Sequence, residues 1–276
     1  MPGCVTLYPA SGTSLKGAAV GDTKPETAAG PGDPGVDRLA SMSRALEAAV
    51  SRRILAVRSG EAHDPQVRLF AEGLPAILDG LAMLEAATRY VVNNLQRSST
   101  FDPSRRERLL NRRTRARKLQ GHMILHPTEH LPLTAACHPD TWVAQVQGIG
   151  LAIDERLALF PGPYTADGRP TAWLCSDPDL VDPFCELWQE TKRSAVPVRD
   201  VPGLVHLTER QLDVVALLSR GAKDATISRL LGVSPRTVTS DVGKIMDAFG
   251  VATRWEAGMV IGRACPPSLS DPVARP

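Results

Sequence analysis

Apolar positions along the last seventy residues recur at three- and four-residue steps in four bursts separated by glycine. Leu212, Val215 and Leu218, widened by Val214 and Leu217, form the first stripe. Thr208 and Gln211 predict a capping box at its start, and Gly221 supplies the residue that stops it. Asp224 is expected to cap a second, short helix with Ile227, Leu230 and Leu231 facing inward, closed by the sharp turn at Gly232. Ser234-Pro235 opens a third, because Ser accepts from the first turn and Pro at N1 leaves no N–H unpaired. Its apolar positions Val238, Val242, Ile245, Met246 and Phe249 share one face, leaving Arg236, Thr237, Thr239, Ser240, Gly243 and Lys244 largely on others. Gly250 ends it, and Arg254 to Gly262 predicts a fourth helix.

Upstream the period differs. Leu39, Met42, Leu46 and Val50, then Leu78, Leu81 and Leu84 after the Gly73-Leu-Pro break, predict a helical stretch over residues 38–96. From Arg89 the pattern turns strand-like: Tyr90-Val-Val, Leu119 to Leu125, Trp142 to Ile153, Leu157 to Phe160 after a turn at Asp154-Glu-Arg156, and Ala172 to Cys175. Asp179 to Arg193 predicts a capped helix, and Pro197 to Gly203 a linker. Residues 1–37 are rich in Gly, Pro, Ser, Thr and Ala and are expected, with 266–276, to be disordered tails. The division is therefore an α/β domain over 38–199 and an all-α four-helix domain over 204–265, with no internal repeat.

Two short helices joined by a tight turn, the second with a polar outer face, suit entry into a major groove about 12 Å wide. The segment 207–263 resembles the LuxR-type (FixJ/NarL-type) helix-turn-helix domain through Leu207-Thr208, Gly221, Ile227, Leu230, Gly232-Val-Ser, Arg236-Thr-Val238, Ile245 and Gly250-Val251. Thr253-Arg-Trp-Glu-Ala-Gly258 with Gly262-Arg263 further resembles an actinobacterial subgroup. The resemblance implies a transcription regulator whose third helix lies in the major groove of double-stranded DNA and whose fourth forms a homodimer face, with RNA polymerase as a further partner. The expected DNA-binding residues are Lys223, Ser234, Arg236, Thr237, Thr239, Ser240, Gly243 and Lys244. One departure bears on affinity: Thr239-Ser240-Asp241 and Gly243 stand where the family commonly has cations. That removes phosphate neutralisation, and an outward Asp241 would repel the backbone. Residues 207–263 hold eight basic and six acidic side chains, a thin electrostatic footprint.

The middle segment resembles the degenerate phospholipase-D-like domain of the same subgroup, through Val146 to Leu159, Ser176-Asp-Pro-Asp-Leu-Val181, Phe184 and Leu187-Trp188. Active members of that enzyme family use a His followed two residues later by Lys. None of the six histidines here is so followed, and a nucleophile without its electrostatic partner gives little. The expectation is a sensor or dimerisation platform without catalytic residues, cofactor or metal.

Composition adds limits. A chain of 276 residues at 43% hydrophobic content has room for two domains, and its net charge of +2 decides nothing about nucleic acid. No apolar run reaches the ~20 residues that span a bilayer, and the first residues lack signal-peptide character, so a cytoplasmic place is expected. Five cysteines without a Cys-x-x-Cys pair read as reduced thiols, with a Cys175–Cys185 redox pair as the alternative. His122, His126 and His130 have ligand-like spacing, but Pro127 and Pro132 break the helix that would align them. Eight cations crowd Arg105 to Lys118: a solvated helix face, or an accessory phosphate-binding surface. No early acidic pair of a phospho-receiver opens the middle segment. The rival function is a protein-interaction module that kept the helix-turn-helix shape without reading DNA.

Overall fold

Leu39, Leu46, Val50 and Ile54 are all buried on one stripe of helix α1 (Pro34–Ser59), as their spacing requires. The computed structural model describes residues 34–97, 101–103, 106–128 and 130–265. After α1 come β1 (Val67–Glu72), α2 (Leu74–Ala87), β2 (Val91–Gln96), α3 (Arg106–Ala116), β3 (Gln120–Leu125) and α4 (Leu131–Cys137). The chain continues through β4 (Trp142–Val143), β5 (Gly150–Ile153), β6 (Leu157–Gly162), β7 (Thr171–Cys175), α5 (Pro178–Arg193) and β8 (Val196–Pro197). A 3-10 turn (Val198–Asp200) leads to α6 (Glu209–Leu218), α7 (Asp224–Leu231), α8 (Pro235–Phe249) and α9 (Arg254–Ala264). No helix among the described residues is long and apolar enough to cross a membrane.

The strands form one mixed sheet in the order β1-β7-β6-β5-β2-β3-β4-β8. Only the β2–β3 and β3–β4 pairs are parallel. Alternation assigns each strand two faces. Leu95, Ile124, Ala152 and Phe160 pack beneath α1 and α5 with Phe184, Leu187 and Trp188. Leu159, Ala172 and Leu174 face the other way, under Ile77 of α2. Asp177 caps α5 by accepting from the Asp179 N–H, two residues before the expected start. The β5–β6 turn places Asp154 and Glu155 at φ 52° and 55°. The Asp154 carboxylate compensates by accepting from the N–H groups of Arg89, Tyr90 and Val91 at 2.9, 2.8 and 3.0 Å. Burial opposes its charge, but these donors outweigh it and hold the carboxyl below the usual aspartate range.

Several expectations are corrected. The helical stretch over 38–96 is interrupted by β1, an edge strand in which the apolar run Leu69-Phe70-Ala71, at a register shift against β7, breaks the alternation that would have revealed it. Trp142 to Ile153 is two strands. β4 pairs with β3 while β5 pairs with β2, so residues 144–149 must cross between the two flanks of that pair. Gly148 lies against α5 on the crossing, where a Cβ would come within 2.8 Å of Leu187. Residues 34–37, placed in the leading tail, begin α1, since Pro is tolerated in a first turn and Asp37 suits the helix N-terminus. Residues 1–33 and 266–276 lie outside the described residues. Pro197 to Gly203 is no free linker: Pro197 pairs with Trp142, and Val198 is buried against Leu125, Leu131 and Ala135.

Helices α6 to α9 close a second core around Leu212, Val215, Ile227, Val238, Ile245 and Ile261. Phe101, Leu133 and Cys137 from the α/β part enter the same core, and the Phe101 N–H donates to the Ala264 carbonyl at 2.7 Å. Arg108 of α3, with 6% of its side chain exposed, donates to Glu209 and Asp213 of α6 at 3.0 Å each. The arginine run is therefore partly a dock for the C-terminal helices, which neither reading of it anticipated.

Candidate nucleic-acid interface

The capping box at Thr208 and Gln211 forms as expected. Gly232 and Gly250 take left-handed φ of 65°, closing α7 and α8 where another residue would be strained. The second helix differs in two details. Its N-cap is Lys223, and Asp224 occupies the first turn, paired with Arg254 of α9. Leu230 is 56% exposed, because an eight-residue helix crossing α8 buries little beyond Ile227.

Ser234 caps α8 by accepting from the Thr237 N–H at 3.1 Å, and the two hydroxyls lie 2.8 Å apart. Val238, Val242 and Ile245 are buried, while Arg236, Thr239, Ser240 and Lys244 are exposed and Thr237 and Gly243 half-buried. Arg236, Ser240 and Lys244 follow one another at four-residue steps, one ridge of the outer face. Thr239 turns its hydroxyl back onto the Pro235 carbonyl at 3.1 Å. Lys223 is exposed at the start of the preceding helix. Among the described residues, Lys223, Arg236 and Lys244 form no ion pair.

Asp241 does not point outward. It is 1% exposed and accepts from Arg210 at 2.7 and 3.1 Å, with Gln211 Nε2 at 3.5 Å. Most other acids of the segment, though less buried, are also partnered. Glu209 and Asp213 are engaged by Arg108, Glu209 also by Arg112 at 2.8 Å, and Glu256 accepts from the backbone N–H groups of Ala252 and Thr253. Hydrogen bonding to Arg112, with the charges of Arg112 and Arg108, outweighs burial and holds Glu209 below its ordinary range. The outer face of α8 thus keeps Arg236 and Lys244 exposed while Asp241 is neutralised inside, which a count of charges along the sequence misses; Asp247, three residues beyond Lys244, is the exposed acid of α8 without an ion pair among the described residues.

Other candidates stay apart. Among the described residues no His, Cys, Asp or Glu cluster could hold a metal. His122 packs on Trp188, while His130 sits at the start of α4. Among the described residues Cys137, Cys175, Cys185 and Cys265 form no disulfide; burial pushes the Cys175 thiol up to about 12 and those of Cys185 and Cys265 to about 11, which makes these three poor nucleophiles. The exposed face of α9, the helix on which the resemblance implied a dimer contact without naming its residues, carries Trp255, Gly258, Met259 and Gly262 at helical spacing.

Residues 205–261 match the family model of bacterial regulatory proteins, luxR family. The match supports a LuxR-type helix-turn-helix in a DNA-binding regulator of transcription, and it covers the C-terminal helices alone. No curated protein sequence matches the chain. Among solved structures, NucT from Helicobacter pylori aligns at 11% identity over 48% of this chain and 96% of its own, with a TM-score of 0.35. TrmBL2, an archaeal chromatin protein whose structure is described as showing a novel mode of DNA binding, aligns at 14% identity over 58% of this chain and 65% of its own, at TM-score 0.37. Likenesses this low carry no argument.

Proposed function

We propose that the chain regulates transcription as a homodimer, each copy laying α8 in the major groove of double-stranded DNA. The observation that carries this reading is the outer face of α8, where Arg236 and Lys244 are exposed and unpaired among the described residues while Asp241 is turned inward onto Arg210. Lys223 and the α8 N-terminus at Ser234 supply phosphate contacts, since free N–H groups and the helix dipole favour an anion there. Thr237, Thr239, Ser240 and Gly243 complete the face that meets base edges. Exposed Trp255 and Met259 on α9 form the dimer contact, and the close approach allowed by Gly258 and Gly262 suits a two-fold helix pair. Two half-sites about 34 Å apart follow from that symmetry. The α/β part is read as a degenerate phospholipase-D-like platform without catalysis.

A salt titration on selected DNA sites tests the reading. Arg236→Ala and Lys244→Ala should each lower the slope of log affinity against log salt by about 1. An affinity indifferent to salt would leave the protein-interaction alternative standing. Thr239→Arg with Ser240→Arg should raise non-specific DNA affinity.

A further inference from the structure

The α2/α3 side of the sheet holds a cavity of about 510 Å³, within the range of small-molecule sites. Its floor is the outward face of β2, β3 and β5, and its walls are the leucines of α2, Leu110 and Thr114 of α3, and the loop from His138 to Trp142. Three features of this cavity are unneeded by the fold itself.

The first is polarity on a central strand. Asn94 and Gln96 of β2 face the cavity in the middle of an eight-stranded sheet, and among the described residues neither amide makes a side-chain hydrogen bond. The second is Thr141, a wall residue 2% exposed whose buried hydroxyl has no partner among the described residues. An unpaired hydroxyl of this kind is costly to bury. The third is Gly121 in β3. Its φ is not left-handed, and a Cβ there would meet Thr114 Cγ2 at an ordinary 3.6 Å, so neither backbone nor packing demands glycine. Glycine inside a strand is found at bulges, at bends and where a ligand or another backbone comes close, and β3 pairs with β2 here in unbroken register.

Charge narrows the ligand. The ionic groups on the wall are already matched: Glu85 with Arg117 at 3.0 Å, Arg115 with Asp140 at 3.9 Å and Arg199 with Asp200 at 3.9 Å. What remains is a mainly apolar cavity with amide and hydroxyl groups to satisfy.

We infer that this cavity binds a neutral, largely apolar small molecule bearing hydroxyl or amide groups, and that α3 transmits its occupancy to the C-terminal helices. Helix α3 touches both: Leu110 and Thr114 line the cavity, while Arg108 and Arg112 hold Glu209 and Asp213 of α6. A consequence for transcription rests on the function proposed above; the binding site itself does not.

The test uses the full chain and N-phenyl-1-naphthylamine, a neutral aromatic probe whose fluorescence rises in apolar sites. Saturable binding near one probe per chain is expected, weakened at least roughly tenfold by Gly121→Phe and little changed by Gly121→Ala. Circular dichroism checks folding, and Leu81→Trp on the opposite wall repeats the test should Gly121→Phe not fold. Asn94→Leu should weaken 2-naphthol binding more than naphthalene binding. Hydrogen exchange without DNA should slow in α3 and α6 when probe is bound, so a failure to read DNA cannot imitate a failure here. Equal probe affinity in both blocking variants overturns the site. Deletion of residues 1–33 that raised probe affinity would assign the cavity to the chain's own leading segment and also overturn it. Binding with unchanged exchange in α6 overturns the transmission.

Discussion

Asp241 shows how one side chain's direction decides a property of the whole surface. Outward it would repel phosphate; inward it neutralises Arg210 and leaves the outer ridge of α8 cationic. Arg210→Ala leaves the 1% exposed carboxylate without its cation, and the urea midpoint of unfolding should fall for that reason. Arg236→Ala, which removes an exposed cation, should leave that midpoint unchanged. Asp154 makes a second residue-scale case. Its carboxyl is held below the ordinary range, so the stability it contributes is present above the unfolded-state value and lost as pH falls through the lower folded one. Asp154→Ala should cost about 1–2 kcal/mol at neutral pH, because three N–H donors lose a charged acceptor at a partly exposed site. Asp154→Asn should cost less, since Asn accepts left-handed φ, and should flatten the acid limb of a stability–pH curve.

Among the elements, α3 departs most from its sequence pattern. A run of arginines along a helix reads as a solvated surface, yet Arg108 is buried between α3 and α6. Its partners lie 101 and 105 residues further along the chain, beyond any helical or strand period. Arg108→Ala should lower stability by about 2 kcal/mol, below the range for a fully buried pair because Glu209 is 57% exposed. Amide exchange should accelerate in α6 ahead of the sheet, and uniform acceleration throughout would contradict a local dock. Helix α8 behaves oppositely. Ser234, Pro235 and Gly250 mark its ends and Val238, Val242 and Ile245 its inner stripe, all read correctly from spacing because the signals are local.

At the scale of the molecule, the α/β part and the C-terminal helices share a core through Phe101, Leu133 and Cys137, so they are docked rather than strung on a free linker. The exposed face of α9 is where the proposed second copy would dock. Trp255, 77% exposed, is a large apolar side chain left in water, and Trp255→Asp should convert a dimer to monomer in sedimentation velocity. If the proposed pairing is right, site affinity should fall at least roughly a hundredfold with the loss of avidity. A monomeric wild type would refute the pairing while leaving the outer face of α8 intact.

The sequence by itself determined the C-terminal helices, the caps of α6 and α8 and the outward residues of α8, since capping, glycine turns and helical spacing act within a few residues. It also placed most strands, but not the edge strands β1 and β8 or the break between β4 and β5, which depend on which neighbours each segment meets. Tertiary structure alone decided the inward turn of Asp241, the burial of Arg108, the packing of Val198 and the cavity beside Gly121. Each joins residues far apart in the chain, where charge and burial are set by packing in three dimensions and leave no periodic trace.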